Sequence, residues 1–546
     1  MSEPLLDVRG LRIGFGRGAA AREVVHGIDL RIGPGECLAL VGESGSGKSV
    51  SARALVGLAG AGARLTAERL TVAGHDGRGL RDRGWRAIRG RDVGFVLQDA
   101  LTALDPLRTV GAEVAEPLRI HRDLSRAATT VEVERRLAAA GIPDPERRRR
   151  QHPHELSGGL RQRALIATAL AADPPLLIAD EPTTALDVTV QARILELLAS
   201  LKEAGRGLLL VSHDLAVVAR IADRIAVMDG GRIVEQGTAA RVIGAPEHPA
   251  TRTLLDAIPR GRRAPAAAPA PAGREEPLLR ATDLRKRYRD AAGHERDALA
   301  GVSATVRRGE TLGVVGESGS GKTTLARTLL GLLEPDAGTV ALHGQRWSGL
   351  RERDRRPRRP AVQHVPQDPL SALDPRHDVR AVLREALGGR RLRDRGQDRR
   401  LVALLEEVGL PAALLDHRPG QLSGGQRQRV AIARALAVGG GEGLELLVCD
   451  EPVSALDVRT QAQILRLLDR IQRDRRLAIV FVSHDLAVVR EVCDRVLVMR
   501  DGRVVEEGPV ATIFDRPAHP YTRELLAATP TLDRPAAPPE REEVLR

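Results

Sequence analysis

Two short glycine-rich segments have the residue types and spacing of a phosphate-binding loop. The first reads GESGSGKS and the second GESGSGKT, and each directly follows an apolar run. Glycines allow successive backbone N–H groups to point at phosphate oxygens, and the adjoining helix N-terminus adds the positive end of its dipole. A lysine then supplies a compact charge to the β and γ phosphates. We therefore predict two nucleotide-binding loops, formed by Gly42, Ser44, Gly45, Gly47 and Lys48 and by Gly316, Ser318, Gly319, Gly321 and Lys322.

Two apolar runs end in a pair of acids that complete this chemistry. They read LLIADEP (Leu176–Pro182) and LLVCDEP (Leu446–Pro452). An acid at the carboxyl end of a strand, beside a phosphate-binding loop, can hold Mg²⁺ together with the hydroxyl of the loop. The next acids, Glu181 and Glu451, are placed to polarise the attacking water as general bases. The alternative, acids that only cap a helix, is disfavoured by the pairing with a phosphate loop. The residues expected to hold magnesium are Ser49, Asp180, Thr323 and Asp450.

Buried strands and helix starts must position these groups. Cys37–Val41 and Thr311–Val315 are typical of buried strands that run into the glycine turns, with helices beginning at Lys48 and Lys322. Every motif of the first half recurs in the same order about 270 residues later. This period is too long for a solenoid, so we predict a tandem duplication of one α/β domain.

Composition and charge are those of a globular protein. The length of 546 residues predicts three or four domains, or two large ones. Hydrophobic residues make up 42% and charged residues 29%, which argues against wholesale disorder. The net charge of +12 is a small excess of 84 basic over 72 acidic residues. The arginine-dense stretches 146–150 and 351–360 are interleaved with acids and carry almost no aromatics, so a solvated surface is favoured over a nucleic-acid patch.

The cysteine pattern and the hydropathy of the chain exclude further classes of protein. The three cysteines lie far apart with no CxxC pair, which rules out a disulfide framework and a cysteine metal site of ordinary spacing. This pattern fits a reducing compartment. The first ten residues have neither the basic nor the apolar region typical of a signal peptide, so we expect none, and no apolar run reaches the roughly 18 residues of a membrane span. We therefore expect any membrane role to be that of a peripheral partner.

A change in composition marks the boundaries of the two copies. Residues 260–277 are rich in proline and alanine without apolar periodicity, as in an extended, semi-rigid linker. The last residues have the same character. We predict a first domain over residues 1–259, the linker over 260–277, a second domain over 278–530 and a loose tail over 531–546.

The segments LSGGLRQR (Leu156–Arg163) and LSGGQRQR (Leu422–Arg429) resemble the signature sequence of ATP-binding cassette (ABC) proteins. With the phosphate loops and acidic strand ends they form a specific set, present twice, that covers about residues 5–259 and 278–530. The resemblance implies two tandem P-loop NTPase domains. Each would have a RecA-like core, an antiparallel β subdomain and a helical subdomain, and would bind and hydrolyse ATP with Mg²⁺.

The resemblance also implies roles for single residues outside the loops. Gln98 and Gln367 match the glutamine loop, which contacts magnesium and the attacking water and faces the membrane partner. Asp187 and Asp457 match the D-loop, expected to bridge the two halves. Histidines in SHDL segments match the switch histidine that holds the γ-phosphate, and an aromatic residue upstream of each phosphate loop is expected to stack on adenine. These residues are His213 and His484, and Phe15 and Tyr288.

In this family ATP lies between the phosphate loop of one half and the signature of the other. The signature N–H groups, at a helix N-terminus, would clamp the γ-phosphate from the far side. One site would pair Lys48 with the second signature, and the other would pair Lys322 with the first signature. Leu160 departs from the pattern by replacing the expected glutamine, yet we expect two sites competent for hydrolysis. The signature residues are Ser157, Gly158 and Gly159, and Ser423, Gly424, Gly425 and Gln426.

Further segments resemble the peptide/nickel importer branch of this family. They are QDPLSALDP and HPYTRELL, although HPYT becomes HPAT (His248–Thr251) in the first half. The two halves resemble the two ATPase subunits of such an importer, fused. This implies heterodimeric inner-membrane permease subunits and an extracytoplasmic solute-binding protein as partners, no specific nucleic acid, and a peripheral position on the cytoplasmic face of the plasma membrane. The alternative is a twin-cassette translation factor acting on ribosomes, whose branch typically has a long charged helical linker.

Overall fold

We describe the protein from a computed structural model; the residues described are 3–16, 22–98, 100–184, 186–258, 276–289, 295–388, 395–438, 443–454 and 456–530. The predicted linker, apart from residues 276 and 277, and the predicted tail lie outside these ranges. Among the described residues, no helix combines the length and the apolar character that crossing a bilayer would require.

The first half alternates strands and helices along the chain. Its described strands are β1 (Leu6–Phe15), β2 (Arg22–Ile32), β3 (Cys37–Gly42), β4 (Ala63–Thr66), β5 (Arg69–Val72), β6 (His75–Asp76), β7 (Val93–Val96), β8 (Leu176–Asp180), β9 (Gly207–Ser212), β10 (Arg224–Asp229) and β11 (Arg232–Thr238). Its described helices are α1 (Lys48–Ala54), α2 (Asp82–Ile88), α3 (Ala100–Ala103), α4 (Val110–His121), α5 (Arg126–Ala139), α6 (Pro145–Arg148), α7 (Gly158–Ala169), α8 (Val188–Glu203), α9 (Leu215–Ala219), α10 (Ala239–Gly244) and α11 (Pro249–Asp256).

The second half repeats this order. Its described strands are β12 (Leu279–Arg289), β13 (Glu295–Val306), β14 (Thr311–Val315), β15 (Ala337–Leu342), β16 (Gln345–Arg346), β17 (Val362–Val365), β18 (Leu446–Asp450), β19 (Ala478–Val482), β20 (Arg495–Arg500) and β21 (Arg503–Pro509). Its described helices are α12 (Lys322–Leu329), α13 (Glu352–Arg355), α14 (Pro369–Ala372), α15 (Val379–Ala386), α16 (Arg395–Glu407), α17 (Gly424–Ala437), α18 (Val458–Arg475), α19 (Leu486–Val492), α20 (Val510–Asp515) and α21 (Pro520–Ala528).

A six-stranded sheet forms the centre of each half. In the first half its order is β11-β10-β3-β9-β8-β7, and in the second β21-β20-β14-β19-β18-β17. All neighbours run parallel except the edge strands β11 and β21, which pair antiparallel. Strands β3, β8 and β9 are buried at every position, which explains their continuous apolar runs. The carboxyl ends of parallel strands meet at one edge, and this edge carries the phosphate loops together with the predicted acids, glutamines and histidines.

Each half adds an antiparallel sheet and a group of helices to this core. The antiparallel sheets have the order β2-β1-β5-β6, with β4 on β1, and β13-β12-β15-β16. In the first half α4, α5 and α7 pack on one another, and α15, α16 and α17 do so in the second. The predicted α/β class and the duplicated architecture are confirmed.

The two halves also share apolar packing. Val188, at the start of α8 in the first half, belongs to the hydrophobic cluster of the second half. The last helix of each half lies on the other half, since α21 packs along α8 and α11 packs on α18. The described residues of the two halves therefore form a reciprocal interface.

Candidate functional site

The phosphate loops require glycine because of their backbone geometry. Gly42 has a φ of 155°, and a Cβ there would collide with the Met228 carbonyl oxygen. Gly47, which precedes α1, has a φ of 101°, in the left-handed region that glycine adopts without strain. Gly316 and Gly321 repeat both features in the second half. Each loop therefore leads a buried strand directly into a helix N-terminus, as phosphate binding requires.

Each loop lysine is buried and bonds to its own loop. The Nζ of Lys48 donates hydrogen bonds to the carbonyl oxygens of Gly42, at 2.8 Å, and Glu43, at 2.7 Å. Lys322 makes the same two bonds in the second loop. Burial lowers the pKa of both ammonium groups, while carboxylates from both halves oppose this shift. Loop carbonyl oxygens thus hold each ammonium group within its own phosphate loop.

The hydroxyl and carboxylate predicted to hold magnesium lie side by side in each half. Ser49 Oγ donates to Asp180 Oδ1 at 2.9 Å, and Thr323 Oγ1 donates to Asp450 Oδ1 at 3.3 Å. Asp180 Oδ2 is buried and receives no hydrogen bond from the described residues. Burial raises the pKa of both carboxyl groups. One carboxylate and one hydroxyl fit Mg²⁺, which completes its shell with phosphate oxygens and water.

A hydrogen-bonded group surrounds each predicted general base. Glu181 follows β8 with a φ of 49°, a strained conformation that is typical of functional sites. Its carboxylate accepts from Gln98 Nε2 at 3.0 Å and from Thr184 Oγ1 at 3.0 Å, and His213 Nδ1 lies 3.3 Å away. Burial alone would raise the pKa of Glu181, but the hydrogen bond and charge of His213 outweigh burial and lower this pKa. Burial likewise disfavours the imidazolium, yet Glu181 raises the pKa of His213.

The second half reproduces this group. Glu451 has a φ of 46°, accepts from Gln367 Nε2 at 2.9 Å and lies 3.2 Å from His484 Nδ1. Against the effect of burial, the neighbouring histidine lowers the pKa of Glu451. The structure thus brings together the predicted base, glutamine and histidine in both halves.

The two signature segments begin helices but differ in their capping. Ser423 Oγ accepts from the N–H of Gln426, whose side chain accepts in return from the Ser423 N–H at 2.9 Å. This reciprocal capping box satisfies two N–H groups at the start of α17. In the first half Ser157 Oγ accepts from the Leu160 N–H at 3.4 Å, but leucine cannot complete the box. Its side chain packs on the hydrophobic cluster of the first half instead.

The D-loop aspartates lie at the interface of the halves. Asp187 caps α8 by accepting from the Val190 N–H, and its Oδ2 lies 3.5 Å from the Ser318 nitrogen in the second phosphate loop. The first signature is beside this point, since a Cβ on Gly159 would lie 2.7 Å from Val190 Cγ1. Asp457 caps α18 in the same way, and its charge partly opposes the lowering of the Lys48 pKa that burial causes. Each phosphate loop therefore faces the D-loop of the other half.

Sequence reasoning missed four residues that contact one another across this interface. Glu317 Oε1 in the second phosphate loop accepts from Thr189 Oγ1 of the first half at 2.7 Å. Glu43 Oε1 in the first loop accepts from Arg459 Nη1 of the second half at 2.9 Å. Both glutamates occupy the second position of their loop, and both partners lie two residues after a D-loop aspartate. That shared spacing is the signal from which these contacts could have been found.

The predicted adenine-stacking aromatics lie near the ends of strands of the antiparallel sheets. Phe15 ends β1 and is partly buried, while Tyr288, near the end of β12, is 44% exposed. The Tyr288 ring is therefore exposed, whereas Phe15 packs against the hydrophobic cluster of the first half. Their contact with a base stays a prediction.

Comparison with known families shows which family of nucleotide-binding proteins this chain resembles. Residues 25–184 and 299–454 match the family described as ABC transporter. The chain belongs to the ABC transporter family. Residues 234–290 and 505–544 match a second family, described as oligopeptide/dipeptide transporter, C-terminal region. The ABC family consists of ATP-binding ATPases, so the predicted family and the predicted enzyme class are confirmed.

Two relatives align with this chain over nearly their full length. The peptidoglycan transport ATP-binding protein YejF of Agrobacterium fabrum is 42% identical over 537 residues, with 96% of each chain covered. The glutathione import ATP-binding protein GsiA of Salmonella typhimurium is 40% identical over 578 residues, covering 99% of this ABC protein and 92% of GsiA.

A solved structure supports the twin fold. An archaeal ribosome recycling factor, aABCE1, in complex with the stalk protein aP1, aligns with a TM-score of 0.60 over 91% of this chain and 90% of its own. Its identity of 20% makes this a likeness of fold alone.

Proposed function

We propose that this ABC protein is the ATP-hydrolysing subunit of an importer for di- or oligopeptides or related small solutes, with two ATP sites between its halves. The main support for ATP sites formed by both halves is that each phosphate loop contacts the D-loop of the other half. The family match of the segments 234–290 and 505–544 supports the transport role, as do the relatives named for peptidoglycan transport and glutathione import.

Each proposed ATP site contains residues from both halves. In the first site the loop from Gly42 to Ser49 binds the phosphates, and the second signature, Ser423–Gln426, donates N–H groups from the opposite side. Glu181 accepts a proton from the attacking water, Gln98 orients this water, and His213 holds the γ-phosphate while stabilising the charge on the base. The second site uses the matching residues: Lys322, Thr323, Glu451, Gln367 and His484, with Ser157, Gly158 and Gly159 of the first half.

Magnesium would be held in each site by the hydroxyl and carboxylate that already lie together. These ligands are Ser49 and Asp180 in the first site and Thr323 and Asp450 in the second, with Gln98 and Gln367 beside them. The ion would supply electrostatic stabilisation of the phosphate charge that develops during hydrolysis.

A membrane permease with two different subunits is the proposed partner, together with an extracytoplasmic solute-binding protein. The glutamine-loop segments that contain Gln98 and Gln367 are the proposed contacts with this permease. The protein would act as a peripheral subunit on the cytoplasmic face of the plasma membrane.

A transport assay with a matched ATPase-dead variant tests this function. Deleting the gene should abolish uptake of labelled di- and oligopeptides, and the wild-type protein should restore it, whereas a Glu181→Gln, Glu451→Gln double variant should not. The purified chain should also bind membranes only when the permease subunits are present. Unchanged uptake after deletion, together with stable co-sedimentation with ribosomes, would instead support the translation-factor alternative.

A further inference from the structure

The last helix of the second half connects a phosphate loop to the opposite half. Tyr521, at the start of α21, is 1% exposed, and its hydroxyl accepts a hydrogen bond from the Glu317 N–H at 3.1 Å. The guanidinium of Arg500 lies over its ring, 4.7 Å from the centroid. At the other end of the helix, the Ala528 carbonyl accepts from Arg220 Nη1 of the first half at 3.2 Å. One short helix therefore contacts its own phosphate loop and the other half.

Glu317, which is hydrogen-bonded to Tyr521, also contacts the other half. The Glu317 peptide is bonded to the phenol, while the Glu317 carboxylate accepts from Thr189 of the first half at 2.7 Å. The Thr189 hydroxyl oxygen also lies 2.8 Å from Asp187 Oδ1, so its single proton is shared between these two carboxylates. A continuous chain of polar contacts thus runs from α21, through Glu317 of the second phosphate loop, to the D-loop of the first half.

The first half lacks this connection because its sequence differs at one position. Ala250 stands in HPAT where Tyr521 stands in HPYT, and alanine has no group that could bond to a loop peptide. The matching loop residue, Glu43, makes the counterpart of the Glu317–Thr189 contact, since its carboxylate accepts from Arg459 of the other half. The two phosphate loops are therefore supported in chemically different ways.

We propose that Tyr521 is a positioning residue for the ATP site built on Lys322, and that it acts by fixing Glu317. The inference rests on the proposed function, because it requires this loop to bind ATP. Removing the Tyr521 hydroxyl leaves the Glu317 N–H without its hydrogen-bond acceptor. Glu317 then becomes less fixed, and its contact with Thr189 of the first half is weakened. Because the phenol is buried, the pKa of Tyr521 is raised to about 12, so the hydroxyl stays neutral at physiological pH.

The test measures each ATP site separately with the Mg²⁺ complex of trinitrophenyl-ATP as a fluorescent probe. In a Lys48→Ala background, where the Lys322 site binds the probe, Tyr521→Phe should raise Kd roughly three- to tenfold, as expected for one lost hydrogen bond. In the matched Lys322→Ala background, the same substitution should leave the Kd of the other site unchanged. Phenylalanine keeps the ring packing, so the thermal unfolding midpoint should stay close to that of the parent.

A double-mutant cycle distinguishes positioning from general stabilisation. If both contacts act through Glu317, Tyr521→Phe and Thr189→Ala should together raise Kd by less than the product of their separate effects. The role of Tyr521 would be overturned if the two substitutions acted independently, if the Kd did not change in the Lys48→Ala background, or if the Kd changed equally in both backgrounds. The proposed ATPase activity would stand in each of these cases. Failure of both backgrounds to bind the probe would overturn the proposed function and this inference together.

Discussion

Replacing both proposed general bases by glutamine separates hydrolysis from nucleotide binding. Glutamine has the shape of glutamate, and its oxygen can still accept the hydrogen bond that Gln98 gives Glu181 at 3.0 Å. It cannot take a proton from water, and it removes the charge that pairs with His213. General-base catalysis contributes about 10²–10⁴-fold, so turnover of the Glu181→Gln, Glu451→Gln variant should fall by that factor.

Phosphate release at saturating Mg²⁺-ATP measures this loss, and equilibrium titration measures binding. Each single variant should retain about half of the turnover if the two sites work independently. The Kd for ATP should stay within about twofold of wild type, because neither carboxylate bonds to a phosphate loop. Glu196→Gln, which changes an exposed glutamate on α8, is the matched control and should leave both values unchanged. Wild-type turnover in the double variant would refute the assignment of the bases.

Three further predictions test the fold around the sites. Gly42→Ala should abolish binding at the first site, measured by titration in a Lys322→Ala background, because the new methyl group collides with the Met228 carbonyl. Cys37 and Cys449 should resist thiol labelling at neutral pH until the protein is unfolded in urea, since burial raises the pKa of both thiols, that of Cys37 to about 12. Trp347→Ala should lower the free energy of unfolding of the second half by about 3–5 kcal/mol, measured by denaturant titration, because this side chain is completely buried.

The elements that carry the sites could be predicted because their signals are local. The strand predicted at Cys37–Val41 extends in the structure to Gly42, and the helix predicted to begin at Lys48 does so. An apolar run buried on both faces and followed by a glycine turn identifies such a strand without tertiary information. Ser157 and Ser423 likewise begin their helices as N-caps, a role that serine favours.

The geometry within and between the sites depends on long-range packing that a motif does not encode. The bond between Gln98 and Glu181 joins two different strand ends, and the left-handed backbone of Glu181 follows from its surroundings. The contact of Thr189 with Glu317 exists only because the halves face each other. Residue spacing gives the members of each site, but only the assembled sheets and interface determine which side chains touch.

Steady-state ATPase activity shows whether each phosphate loop works with the signature of the opposite half. Ser423→Arg places a bulky cation among the N–H groups proposed to face the phosphates held by Lys48, so it should disable only that site. Adding Lys48→Ala should then cause little further loss, because both changes affect one site, whereas adding Lys322→Ala should abolish activity. The reverse pattern, with activity lost only when Lys48→Ala is added, would show that each loop works with the signature of its own half and would contradict the account.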